Sequence, residues 1–284
     1  MRPIDFVSLI RGLKFANTFN PYIHRCPLHD LDDAPVLRRS ALLRILEKAV
    51  QTEVETVWIG RDLGHRGGRR TGLAFTDDLH VVSHGMRWNL TIKRATKGPP
   101  LIEQTAAVIW QVLSHIDMPI FLWNVFPLHP HEVGNPFSNR VHNAAERIAG
   151  ESLLSELIAM IRPRRLIAIG NDAYRSVKRV SGLIEVTQVR HPSYGGQARF
   201  IEQMRSSWIE ICRTNLQQTR VKMGTFRCIV CYKASDMFGW GDTFSRRSIR
   251  FLRSTVHLLL ASLLVVGPGE HIHPFYLLRY IRRI

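Results

Sequence analysis

The stretch Pro119-Ile-Phe-Leu-Trp-Asn124 contains no charged residue and ends on a polar amide. The stretch Arg165-Leu-Ile-Ala-Ile-Gly170 has the same apolar character after its first residue. Continuous apolar runs of this length are typical of strands in a parallel sheet, because helices cover such a sheet on both faces. The two stretches therefore predict an α/β fold built on a parallel sheet.

Strands and helices alternate on both sides of these two stretches. The predicted strands are residues 54–59, 119–124, 165–170 and 184–189, and the predicted helices are residues 35–50, 103–116, 139–161, 171–180 and 197–216. Parallel neighbours require a crossover, which helices supply, so we expect a three-layer sandwich with a central four-stranded parallel sheet flanked by helices. This domain should span residues 1–215. Ligands of such folds bind beyond the carboxyl ends of the strands.

The charge balance points to a polyanionic partner. The chain has 39 Lys and Arg against 23 Asp and Glu, for a formal net charge of +16. Nucleic acid is the partner that this predicts, and an anionic membrane surface is the alternative. Residues 216–284 hold 11 of the basic residues and 3 of the acidic ones, so they form a predicted basic C-terminal extension of unknown structure.

Cysteine and histidine spacing predicts no metal site. The four cysteines, Cys26, Cys212, Cys228 and Cys231, are too few and too scattered for a disulfide framework. Cys228 and Cys231 form a C-x-x-C pair, but no second pair accompanies it. His129 and His131 lack a third ligand at suitable spacing, which predicts a solvated loop. The N-terminal apolar run is broken by charges, so we expect a cytoplasmic protein without a secretory signal.

A glycine-rich loop follows the first predicted strand. It reads Gly60-Arg-Asp-Leu-Gly-His65, then six residues, then Gly72-Leu-Ala-Phe75. Its glycines allow tight turns and close approach of backbone to a ligand. The loop resembles the first active-site motif of the uracil-DNA glycosylase superfamily, whose best-known branch reads G-Q-D-P-Y-H, six residues, then G-L-C-F. Gly60, Asp62 and His65 fall in register with G, D and H.

Two later stretches resemble the other motifs of that superfamily. Phe121-Leu-Trp-Asn124 is similar to its apolar strand ending in Asn, and the continuation to Asn139-Arg140 is similar to the iron–sulfur branch. His191-Pro192-Ser193 matches the third motif, H-P-S. Because the three occur in this order at predicted strand ends, the chain is identified as a member over roughly residues 54–210.

The resemblance implies a monofunctional DNA glycosylase that hydrolyses deoxyuridine to free uracil and an abasic site. Cleavage of the bond develops positive charge on the sugar and negative charge on uracil, so a carboxylate and a hydrogen-bond donor should flank it. Asp62 would stabilise the sugar cation and orient the attacking water, and His191 would donate to uracil O2. The motifs contain no catalytic Lys, which lyase chemistry needs. We expect no cofactor, and a monomer.

The remaining motif residues would bind substrate. Asn124 offers a donor and an acceptor to the O4 and N3–H edge of uracil. Phe75 would stack on the base once it has left the duplex. Gly60, Gly64 and His65 would complete the substrate-binding set. Taken alone, each of three residues could instead have a structural role. Asp62 could cap a turn, Asn124 could hydrogen-bond to backbone groups, and Phe75 could belong to the core.

Several residues are predicted to contact DNA phosphates. Pro192 and Ser193 would hold a phosphate with the help of Arg190. A second group, which could instead be a solvated patch, lies in the glycine-rich loop: Arg66, Arg69 and Arg70.

The sequence departs from the best-known branch at two functional positions. Gly64 stands where that branch has a Tyr that excludes the thymine methyl, so Trp123 or Phe126 would have to close the pocket. That branch also follows H-P-S with a Leu wedge. Here the wedge candidates are Tyr194, Arg199 and Phe200. The cysteines of the iron–sulfur branch are absent too, which predicts a divergent branch without the cluster.

Other functions remain open on these residues. The space beside Gly64 allows a broader glycosylase of mismatched or damaged bases. A protein that binds uracil DNA without turnover is another alternative, which the retained Asp62 disfavours. A third is a covalent uracil trap, for which His142 in Asn139-Arg-Val-His142 would be the nucleophile. A hydrogen-bonding strut is the more ordinary role of such a His.

Overall fold

The computed structural model describes residues 1–220 of the chain. Its helices are α1 (Pro3–Gly12), α2 (Ala34–Val50), α3 (Gly68–Thr71), α4 (Val81–Arg87), α5 (Gln104–Leu113), α6 (Ala144–Ile161), α7 (Asn171–Val180) and α8 (Gln197–Arg220). Its strands are β1 (Thr18–Phe19), β2 (Thr56–Asp62), β3 (Ile120–Phe126), β4 (His129–Pro130), β5 (Arg165–Ile169) and β6 (Glu185–Val189).

A parallel sheet of four strands organises the described part of the chain. Its order is β3-β2-β5-β6, and each neighbouring pair is parallel. The predicted α/β class and the four predicted strands are confirmed. Strands β1 and β4 form a separate antiparallel pair that the sequence did not predict, since two-residue strands carry no periodic pattern.

Both faces of this sheet are buried, which explains its uninterrupted apolar strands. Val57 pairs with Phe121, and that face belongs to the large core formed with α1, α2, α6 and α7. Trp58 and Leu122 pair with each other on the opposite face and are equally buried. On the outer strand β6, α8 packs against the sheet and also contacts α5. The result is the predicted three-layer arrangement.

Helix α6 begins later than the predicted residue 139. Asn143 caps the helix by accepting a hydrogen bond from the backbone N–H of Glu146, while the Glu146 carboxylate accepts one from the backbone N–H of Asn143. This reciprocal capping box fixes the helix start. Residues 139–142 are therefore a loop, and Arg140 ties it down through an ion pair with Glu146.

The predicted boundary at residue 215 lies inside a helix, because α8 runs to Arg220. The rest of the predicted extension, including Cys228 and Cys231, lies outside the described residues. Within residues 1–220, no helix combines the length and the apolar character needed to cross a bilayer.

Candidate active site

A cavity of about 490 Å³ lies at the carboxyl ends of the sheet strands. It is bordered by the ends of β2 and β3, by the start of α7 and by the turn after β6. Eight of the predicted site residues line it: Asp62, Gly64, Phe75, Asn124, Arg190, His191, Ser193 and Tyr194. The three motifs, far apart in sequence, therefore meet in one place.

Asp62, the last residue of β2, has a buried carboxylate that is held from two sides. Its Oδ1 accepts a hydrogen bond from Nδ1 of His142, and its Oδ2 accepts one from Nε of Arg61 at 2.8 Å. Arg61 is itself anchored, with Nη1 donating to Asp172 at 2.9 Å. Since a carboxylate only accepts, the His142 proton sits on Nδ1. These contacts orient Asp62 toward the cavity rather than into a turn.

The side-chain amide of Asn124 uses its nitrogen in a hydrogen bond, whereas its oxygen has no partner. Its Nδ2 donates to the backbone carbonyl of Asp62 at 2.9 Å. Its Oδ1 is buried and has no hydrogen-bond partner. A buried acceptor without a partner costs about 1–3 kcal/mol, so such atoms are rare unless a ligand or water completes them. Asn124 therefore brings an unsatisfied acceptor to the cavity that it lines.

Phe75 is buried in a backbone conformation that is unusual for an aromatic residue. Its φ is +52°, and Trp110 Nε1 donates to its carbonyl oxygen at 2.9 Å. The ring edge lies over Gly60, where a Cβ would be 2.5 Å from Phe75 Cζ and 2.8 Å from Asn124 Nδ2. Strained conformations of this kind cluster at functional sites. Because Gly60 has no side chain, the side chains of Phe75 and Asn124 can approach its backbone closely.

His191 is a neutral imidazole whose tautomer is fixed. Its Nδ1 accepts from the backbone N–H of Ser193 at 3.2 Å and lies 2.8 Å from Ser193 Oγ. Burial, together with the charges of Arg61 and Arg190, lowers its pKa to about 4. At neutral pH the single ring proton is therefore on Nε2, which makes that nitrogen a hydrogen-bond donor.

The turn after His191 presents one exposed aromatic side chain at the cavity. Tyr194 is 96% exposed, has φ of +52° and lines the cavity rim. Arg199 is exposed but is not among the cavity-lining residues. Phe200 is fully buried in the core, so the prediction of a wedge role for it is wrong. Pro192 is also buried and shapes the turn.

Two of the arginines predicted to contact phosphate are interior residues. Arg69 is buried between the rings of Phe19 and Phe137, with its guanidinium carbon 4.0 and 4.8 Å from the two ring centres. Arg70 is buried and bridges to Asp78 at 2.6 Å. Neither side chain is available to a DNA backbone, so this part of the prediction is wrong. Phe19 and Phe137 are distant from Arg69 in sequence, which hid these contacts.

The other basic candidates and His65 lie differently. Arg66 and Arg190 are exposed, and Arg190 lines the cavity. His65 is not among the cavity-lining residues; its backbone N–H donates to Asn139 Oδ1 at 3.0 Å, and that asparagine does line the cavity. This hydrogen bond joins the loop after β2 to the loop before α6.

The side chains predicted to close the pocket beside Gly64 are core residues instead. Trp123 packs against Phe6, and Phe126 packs against the ring of His142. Both are buried in the core and neither lines the cavity.

The predicted solvated loop around His129 is also wrong. His129 belongs to β4, is fully buried and bonds to the Ser138 carbonyl oxygen at 2.8 Å. Within residues 1–220, no group of three or more His, Cys, Asp or Glu side chains is arranged to hold a metal ion.

Glu103 is a cavity residue that the sequence motifs did not reveal. It precedes α5 and its carboxyl group covers Gly64, where a Cβ would lie 2.3 Å from Glu103 Oε1. Burial, reinforced by the neighbouring Asp77, raises its pKa to about 7. A perturbed carboxyl group in a cavity is a functional candidate. Its one sequence signal was an acidic residue at a predicted helix start, which is more often a cap.

Comparison with known proteins agrees with this geometry. Residues 47–213 match the family described as the uracil DNA glycosylase superfamily. The chain belongs to this superfamily. That family membership, predicted from the three motifs, is confirmed, and it supports a DNA glycosylase acting on uracil or damaged bases.

Solved structures similar to this member of the uracil-DNA glycosylase superfamily include wild-type SMUG2 from Pedobacter heparinus. The TM-score is 0.48 at 13% sequence identity, with 74% of this chain and 98% of that chain covered. No curated protein matches the chain significantly.

Proposed function

We propose that this protein is a monofunctional uracil-DNA glycosylase that hydrolyses deoxyuridine in DNA to free uracil and an abasic site. The observation that carries the proposal is the unpaired, buried Oδ1 of Asn124 in a cavity that also holds Asp62 and His191. A site that leaves a polar group unsatisfied rejects ligands lacking the matching group.

The Asn124 amide selects the base. Its Oδ1 accepts the N3–H of uracil, and the N–H of Nδ2 that is not engaged by Asp62 donates to O4. Cytosine has no proton on N3 and carries an amino group at C4, so it presents the opposite pattern at both atoms. Phe75, held by its backbone over Gly60, stacks on the base.

The charged groups stabilise the transition state. As the bond from C1′ to N1 breaks, its electron pair moves to uracil, and the Nε2–H of His191 donates to O2, where the negative charge grows. The oriented carboxylate of Asp62 stabilises the positive charge on the sugar. A water oxygen then bonds to C1′, and Asp62 receives the water's proton.

Residues at the rim of the cavity are suited to contact DNA. Arg190 lines the cavity and Arg66 is exposed on the loop after β2, so both can reach phosphates. Tyr194, which is exposed and lines the cavity, enters the stack that the extruded base leaves. Unstacking a base costs a few kcal/mol, which an inserted side chain offsets.

Substitution of Asn124 tests the proposal. Wild type should release free uracil from a uracil-containing oligonucleotide over many turnovers. Asn124→Ala should lower the rate about 10- to 100-fold, the range for losing a buried hydrogen bond of 1–3 kcal/mol. The matched control is Asn135→Ala, in an exposed loop away from the cavity. Equal rates for the two variants, or no release by wild type, would reject the proposal.

A second candidate is covalent capture of the sugar by His142. One observation favours it: with the proton on Nδ1 bonded to Asp62, the lone pair is on Nε2, the arrangement that activates an imidazole. His142 is not among the cavity-lining residues, which favours turnover. An adduct with uracil DNA that survives SDS, and is lost in His142→Ala, would support capture, whereas multiple turnovers would exclude it.

A further inference from the structure

The carboxyl group of Glu103 forms part of the cavity wall beside two glycines. A Cβ at Gly64 would lie 2.3 Å from its Oε1, and a Cβ at Gly67 would lie 2.2 Å from its Oε2. Real Cβ atoms do not approach this closely, so the carboxyl group occupies the volume into which side chains at these positions would project. The loop backbone and Glu103 thus form one continuous surface.

This carboxyl group has no protein partner within residues 1–220. The backbone N–H of Glu103 donates to Asp77 Oδ2 at 2.8 Å, but the side chain makes neither a hydrogen bond nor an ion pair in the described part of the chain. The charged groups nearest to it are Asp77, which disfavours its ionisation, and Arg66, which favours it. The side chain is only partly buried and lines the cavity, so a polar group of a ligand can reach the carboxyl oxygens.

The other walls of the cavity account for the remaining edges of a bound pyrimidine, if the proposed function is right. Asn124 hydrogen-bonds to N3–H and O4, His191 hydrogen-bonds to O2, and the bond to the sugar lies next to Asp62. The remaining edge, with C5 and C6, is left for lining residues that these contacts do not use. Gly64, Glu103 and Thr105 are three such residues, and the Glu103 carboxyl group lies against Gly64.

We propose that Glu103 determines which substituent the enzyme accepts at the 5-position of the base. The inference rests on the uracil-DNA glycosylase function proposed above. A 5-methyl group would press against a carboxyl oxygen and leave it unsatisfied. A 5-hydroxymethyl group would hydrogen-bond to the same carboxyl group. The enzyme should therefore process uracil and 5-hydroxymethyluracil and disfavour thymine.

Single-turnover excision from three otherwise identical single-stranded oligonucleotides tests this. They carry uracil, 5-hydroxymethyluracil or thymine. Wild type should excise 5-hydroxymethyluracil at least 10-fold faster than thymine. Glu103→Ala, which opens the wall, should raise the ratio of thymine to uracil excision at least 10-fold and bring 5-hydroxymethyluracil level with thymine. Glu103→Gln keeps both volume and hydrogen bonding and should preserve the wild-type order. The control is Glu132→Ala, in an exposed loop.

The outcomes separate the two proposals. Absence of uracil excision by wild type overturns the proposed function. Uracil excision with equal wild-type rates on thymine and 5-hydroxymethyluracil overturns the role of Glu103, and this result needs no variant. An unchanged thymine-to-uracil ratio in a Glu103→Ala protein that excises uracil also overturns it.

Discussion

Two carboxyl groups line the same cavity and differ in their hydrogen bonding. Asp62, at the end of β2, has both oxygens bound by nitrogen donors of His142 and Arg61. Glu103, just before α5, has a partner on neither oxygen in the described part of the chain, and its pKa is raised to about 7. Two acids in such different surroundings can serve different chemical roles. Asp62 is suited to a fixed charge, and Glu103 to contact with a neutral part of the ligand.

The largest effect is expected for Asp62→Asn. Asparagine keeps the volume but removes the charge and the proton acceptor, so we expect the single-turnover rate on uracil DNA to fall about 10²- to 10⁴-fold. Asp32→Asn is the control, because Asp32 is exposed and does not line the cavity. Its rate should stay within a few-fold of wild type. Equal rates for Asp62→Asn and wild type would contradict a charged role for Asp62.

A second test displaces the residues that hold the base without touching either acid. Gly60→Ala places a Cβ 2.5 Å from Phe75 Cζ and 2.8 Å from Asn124 Nδ2, so both must move. Misplacement of about 1 Å can cost about 10²-fold in rate. Gly12→Ala, at an exposed helix end where no atom lies within 4 Å of the new Cβ, should leave the rate unchanged. If both variants match wild type in excision kinetics, Phe75 does not position the base.

His142→Ala brings the surroundings of the Asp62 carboxylate closer to those of the Glu103 carboxyl group. The carboxylate loses one of its two partners and keeps Arg61, so we expect a fall in kcat of about 10-fold with little change in KM. His131→Ala in the same loop is the control, since its ring bonds to the Glu132 carbonyl and not to Asp62. In an Asp62→Asn background, His142→Ala should add almost no further loss. Additive losses would show that His142 acts independently of Asp62.

The smallest expected effect is on stability as a function of pH. The folded pKa of Glu103, about 7, lies above its ordinary value of 4.5, so its contribution to stability is lost as pH rises from 4.5 to 7. Burial has the opposite consequence for His84, whose pKa falls from 6.5 to about 3: stability is lost as pH falls below 6.5.

Chemical unfolding of wild type and Glu103→Gln between pH 4.5 and 8 measures this contribution. The variant should gain free energy of unfolding relative to wild type as pH rises to 7, by at most about 1.4 kcal/mol per pH unit, and the difference should then level off. The fall in stability below pH 6.5 should be the same in both proteins. A difference that does not vary with pH would mean that Glu103 is already ionised in the folded protein.

The sheet and the motif side of the cavity were predictable because their causes are local. Strands buried on both faces must be apolar throughout, and motif residues at strand ends must share one edge of a parallel sheet. The positions of the Arg69 and Glu103 side chains were not predictable. Arg69 is buried by Phe19 and Phe137, and Glu103 reaches the cavity only because the loop at Gly64 and Gly67 leaves room for it. Such contacts join residues that no local pattern connects.

The hydrogen bonds from Ser193 to His191 have a consequence for the catalytic cycle. Under the proposed mechanism, Nδ1 stays bonded to Ser193 and Nε2 donates without giving up its proton, so the imidazole would end each turnover in the protonation state in which it began. No proton has to be exchanged between this histidine and solvent before the next base is bound. Under the proposed mechanism, the third motif is therefore ready for a new substrate as soon as the old product leaves.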